Sequence, residues 1–242
     1  MVAIWRRHTE HAMHPSILVL AVAGVLCAAG ASTASAAAAV HDGHAGSAAV
    51  QPAPAHTRAA PAAAPAPKLQ AALRGLWHGH VVATRDYALA VHARRPGDAR
   101  QAAAAVVANA KLLAGAVAGF YGDAAGERML QLLAGHWGAV QAMTDARFAN
   151  DTAARDRAMT ALLGNAAEIA RFLASANPNL PEDAVRGLLT AHGAHHAAQI
   201  QQIMAGDQRA EHATWLAMQQ HMDSIADALA AALARQFPDK AA

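Results

Sequence analysis

The chain has 242 residues, 15% of them charged and 4% aromatic, with a formal net charge of +2 and one cysteine. A single thiol excludes disulfide frameworks and thiolate-ligated clusters. So even a balance of charge argues against the basic stripe that holds nucleic acid.

Arg6 and Arg7 precede an apolar run from Ile17 to Ala29, too short to span a bilayer as a stable helix, and small residues follow at Ala34-Ser35-Ala36. This predicts a signal peptide over 1–36, with export to the periplasm or beyond, and no other membrane association. Cys27 lies inside that run behind bulky Leu26, a poor fit to lipoprotein cleavage. The mature chain then has no thiol. Loss of Arg6, Arg7 and Glu10 takes 19 basic and 17 acidic residues to 17 and 16, close to neutral.

Residues 37–67, "AAAVHDGHAGSAAVQPAPAHTRAAPAAAPAP", form an Ala/Pro-rich stretch with too few large apolar side chains to bury, which predicts a disordered tether. Cleavage after Ala38 would free an Ala39-Val40-His41 terminus, a square-planar chelate suited to Cu(II) or Ni(II). Cleavage after Ala36 would remove it.

Residues 68–240 are expected to form a single all-α domain. Alanine and leucine dominate, and the prolines beyond residue 67 (Pro96, Pro178, Pro181 and Pro238) fall at breaks or at the end. The breaks are "RRPGD" (94–98), "FYGD" (120–123), "FAND" (148–151), "NPNLPED" (177–183) and "AGDQ" (205–208), which predict six helices.

The helices repeat. "GLWHGH", "LLAGH" and "LLTAH" end at His80, His136 and His192, 56 residues apart, and Asn109, Asn165 and His221 share that spacing. The pattern predicts a six-helix up-down bundle of three tandem 56-residue helical hairpins. Midpoints between successive members of this set fall in or beside the five breaks. In antiparallel helices with short loops, that puts all six residues in one cross-sectional layer, roughly 20 Å from the loops. Each sits in an apolar stripe, as His136 does among Met129, Leu132, Leu133, Val140 and Met143. By the same spacing Arg74 and His78 face outward.

Two functions fit such a layer. Histidine and asparagine can hydrogen-bond to one another and fix helix register, giving a structural or partner-binding domain. Alternatively His80, His136, His192 and His221, with Asn109 and Asn165, converge as a transition-metal or small-ligand site. With imidazoles and no thiolate or carboxylate, the candidates are copper, zinc, nickel or cobalt. In "AHGAHH" (191–196), His195 and His196 are expected to be solvated; in the alternative, His196 chelates with His192 at i, i+4. Glu168 is expected at the edge of its stripe. No nucleophile and base stand at recognisable spacing, so catalysis is not expected.

"LRGLWHGHVVATRDYAL", "FYGD", "FLASANPNLPED" and "ARQFPDK" resemble a family of exported bacterial helical proteins, common in spore-formers, that has no established activity. The resemblance runs from Leu73 to Lys240. Some relatives are labelled amino-acid kinases, but this chain has no glycine-rich phosphate loop. The resemblance implies glutamate before the histidines matching His136 and His192 and an acidic residue matching His221. Here Gly135, Ala191 and His221 itself stand there, leaving an imidazole-only layer.

Overall fold

The computed structural model describes residues 66–241, all-helical with no strand among them. The signal peptide and nearly all of the tether expected from the sequence lie outside the described residues. Six long helices follow one another: α1 (Pro67–His92), α2 (Pro96–Tyr121), α3 (Asp123–Phe148), α4 (Thr152–Ala176), α5 (Glu182–Ala205) and α6 (Gln208–Gln236). All five breaks expected from the sequence separate them. Pro67 and Pro96 open α1 and α2, where a fixed φ and a missing N–H suit a helix start.

Side chains cap two of the other helix starts. Asp151 and Asp207 accept hydrogen bonds from Ala154 N and Ala210 N at the starts of α4 and α6. Gly206, at φ 71°, ends α5 in the left-handed conformation, with Gly206 N bonded to Ile203 O and Asp207 N to Gln202 O.

Pro238 does more than end the domain. It opens a short helix not expected from the sequence, α7 (Pro238–Ala241), because Phe237 packs on Phe120 and Tyr121 and its carbonyl accepts from Lys240 N and Ala241 N.

Each long helix packs on its neighbours in sequence, and α6 returns to α1. α1, α3 and α5 also pack on one another, so the odd helices form a central triangle and α2, α4 and α6 fill its outer grooves. α2 is long and apolar enough to cross a membrane; here it lies against α1 and α3 and leaves Val107 and Leu112 exposed. Two apolar cores result. One gathers Leu73, Trp77, Leu133, Ile169, Leu189 and Met222; the other gathers Tyr87, Val106, Val140, Met143, Leu162 and Ile200. The histidines at mid-helix separate them.

α2 and α3 approach closely at Gly126, where an added Cβ would lie 2.7 Å from Ala118 Cβ and 3.0 Å from Ala114 O. Neither neighbour is the end of a flexible chain. Gly126→Ala is therefore expected to destabilise the fold by about 1–3 kcal/mol despite alanine's better helix propensity. Urea unfolding would test this, an unchanged or raised midpoint showing that α2 and α3 can separate freely.

Candidate metal centre

His80 of α1, His136 of α3 and His192 of α5 meet where the three central helices come together. They are 3%, 5% and 1% exposed. Their ring centroids form a nearly equilateral triangle with sides of 5.6, 5.7 and 5.4 Å. His196, one turn further along α5 and 1% exposed, closes on this triangle, with centroids 5.8 Å from His80, 5.7 Å from His136 and 4.3 Å from His192. Each of the four offers a nitrogen, and these atoms all lie within 4.8 Å of one another. Together the four can hold a metal ion.

His196 is thus not the solvated side chain expected. It lies one turn from His192 on the same face, and the 56-residue spacing places it where α1 and α3 carry Thr84 and Val140, both buried. That register was the available clue. His195 points elsewhere: it is half-buried beside His221, with centroids 5.2 Å apart.

Asn109, Asn165 and His221 surround the cluster without joining it. Asn109 Nδ2 donates to Leu76 O at 2.9 Å and Asn165 Nδ2 to Leu132 O at 2.9 Å; His221 Nε2 lies 2.8 Å from Leu188 O. In each case the partner is the carbonyl four residues before the histidine on the adjacent central helix. Glycine makes room for this. An added Cβ on Gly79 would meet Asn109 Nδ2 at 2.9 Å, and one on Gly135 would meet Asn165 Nδ2 at 3.0 Å. The three outer residues are half-buried, so they pin helices while the four histidines occupy the axis.

Burial governs the protonation of the cluster. Desolvation, joined by the charge His136 would carry, pushes His80 down to about 3. Desolvation lowers His136 to about 4, with Asn165 acting in the opposite direction although its Oδ1 makes no hydrogen bond of normal geometry. His192 and His196 are held well below the usual histidine range by desolvation and then by the other imidazoles. All four are neutral at pH 7, the form that ligates metal.

The hydrogen bonding is incomplete. His80 Nε2, His136 Nε2 and His192 Nδ1 are buried without a partner, and His192 Nε2 faces His196 Nε2 at 3.0 Å. Buried polar atoms rarely stay unpaired.

The remaining expectations fall outside this centre. Arg74 pairs with Asp227 and His78 Nε2 with Asp223 at 2.9 Å on the surface between α1 and α6. Glu168 is exposed opposite Arg128. Glu211 is buried, but it is bound by Arg85 and Gln199, away from the histidines. No protein-family model matches the chain, and no curated protein or solved structure is similar to it.

Proposed function

We propose that this chain is an exported protein that binds a single transition-metal ion through His80, His136, His192 and His196. The observation that carries this reading is the set of three unpartnered buried imidazole nitrogens beside a close His192–His196 contact. A layer serving only to fix register would pair those atoms with one another or with backbone. One ion accepting four nitrogens would satisfy them together, and Asn109, Asn165 and His221 would hold the helices around it.

The centre has four ligands on three helices and no open face, each ligand at most 5% exposed. Catalytic metal sites keep a position free for water or substrate. Holding or carrying the ion therefore fits better than turnover. Export follows from the signal peptide read in residues 1–36, and kinship with the exported helical family from the motifs between Leu73 and Lys240. We further propose that the bundle is an up-down array of three tandem hairpins, supported by the side-chain bonds from Asn109, Asn165 and His221, each reaching 33 residues back.

Thermal unfolding with and without metal at pH 7.5 tests the function. A bound ion is expected to add about 2.7 kcal/mol at a hundredfold excess over its dissociation constant. The gain should vanish when His80, His136 and His192 are all replaced by leucine, and should persist below pH 6, fading only as pH falls toward the folded values of His136 and His80, about 4 and about 3. The tether histidines are common to both proteins, so the difference between them reports the bundle alone. Equal melting temperatures with and without copper, zinc, nickel and cobalt would leave the register layer as the function of these residues.

A further inference from the structure

The ion can be named from the shape and charge of its site: building on the proposed metal-binding function, we infer that the four-histidine centre is made for Cu(I).

Shape comes first. In a square of four rings, two diagonals exceed the sides by about 40%, the spacing required by the tetragonal preference of Cu(II) and Ni(II). Here five of the six centroid distances lie between 5.4 and 5.8 Å and the sixth is 4.3 Å. No pair stands out as diagonals. Three rings at one level from three helices, with a fourth a turn along the axis, make a distorted tetrahedron. Because the helices fix the four Cα positions, flattening it would mean moving α5 against α1 and α3. Tetrahedral ions remain: Cu(I), Zn(II) and Co(II).

Charge separates these. Four neutral imidazoles leave the ion's full charge in the core, and the Born cost of burying a charge grows as its square, making a divalent ion about four times as costly as a monovalent one. Sites for divalent ions in buried positions relieve that cost with a carboxylate, a thiolate or a bound hydroxide. None is at hand. Among the described residues the one buried carboxylate is Glu211, already neutralised by Arg85. One turn from the ligands stand Trp77, Thr84, Leu133, Val140 and Leu189, all buried, and the Thr84 hydroxyl is spent on the carbonyls of His80 and Val81. No carboxylate acts on any of the four imidazoles.

The test is anaerobic competition on the full chain, with bicinchoninate as the Cu(I) competitor and a chromophoric chelator for Zn(II). Cu(I) is expected to bind more tightly than Zn(II), roughly a thousandfold, in the direction set by the square-law charge penalty. Two variants of the fourth ligand sharpen this. His196→Asp adds the missing negative charge and should move the preference toward Zn(II) by about a hundredfold. His196→Met keeps a neutral donor and should retain Cu(I) while weakening Zn(II) further. If the aspartate variant does not fold, the methionine variant decides, since Zn(II) held there as tightly as Cu(I), in a site with no negative ligand and one soft thioether, contradicts the Cu(I) assignment. Zn(II) bound as tightly as Cu(I) by the unaltered protein would overturn the Cu(I) assignment and leave metal binding intact. Failure of the protein to take either ion from its chelator would overturn both.

Discussion

Acidification from pH 7 to 4 is expected to unfold the metal-free protein through its histidine cluster, before most carboxylates titrate. An unfolded histidine has a pKa near 6.5, whereas burial holds His80 at about 3 and His136 at about 4 in the folded chain, with His192 and His196 also well below the usual value. Between those limits the unfolded chain binds more protons than the folded one. Stability is therefore greatest above pH 6.5 and is lost as pH falls toward the folded values. Each such histidine removes up to about 1.4 kcal/mol per pH unit. His80 and His136 alone then amount to several kcal/mol by pH 4, a large share of the 5–15 kcal/mol that domains typically possess.

The carboxylates act differently. Asp227 and Glu211, lowered by their arginine partners, weaken the fold at more acid pH, and Asp145, raised by burial, has the opposite sign. Circular dichroism against pH, with chelator present, is expected to give an unfolding midpoint above pH 4. Saturating metal should move it downward. A metal-free protein equally stable to urea at pH 6.5 and pH 4.5 would mean that the four rings are not buried neutral as described.

The fold was legible because its punctuation is chemical. Pro96, Gly206, Asp151 and Asp207 each do at a helix end what their residue type does best, and the apolar spacing between them supports one secondary structure. The level of the histidines was legible for a related reason: equal distances from successive turns bring residues to one height. Their position about the axis was less so. A stripe marks the buried side of a helix, but a helix in the central triangle buries one face on two other central helices, and an outer helix fills a groove between two. Sequence spacing alone treats His136 and Asn165 alike.

The structure separates them, because the hydrogen bond Asn165 makes is to the backbone of the neighbouring helix, while His136 closes on the other three histidines. His196 was obscured by company, since beside His195 in "AHGAHH" it looks like one of a polar run. Its equivalents Thr84 and Val140 show the buried position, which becomes visible once the repeat is extended one turn beyond the histidine. α7 was hidden for another reason. Its support is the packing of Phe237 on two distant aromatic rings, and no local pattern in "FPDK" records that.

Replacing His136 with leucine is expected to strengthen the metal-free fold while weakening its response to metal. Leucine is similar in bulk, and the site already borders Leu132, Leu133 and Val140, all buried. His136 Nε2 has no hydrogen-bond partner to lose. Removing a buried, unsatisfied polar group should therefore gain about 1–3 kcal/mol, as when buried polar groups elsewhere are exchanged for well-packed apolar ones. For a domain of this size that is a rise of roughly 2–4 °C in melting temperature per kcal/mol. Asn165→Ala supplies the contrast, since it deletes a bond that is made, Nδ2 to Leu132 O, and should cost about 1 kcal/mol. A register layer makes the opposite forecast for position 136, where leucine would then destabilise at least as much as alanine does at position 165. Differential scanning calorimetry of the two variants in chelator at pH 7.5 separates the cases. A lowered melting temperature for His136→Leu would mean that the imidazole stabilises the fold without metal. A raised one would mean that the bundle retains four buried histidines at the expense of its own stability, as expected of side chains kept for a ligand.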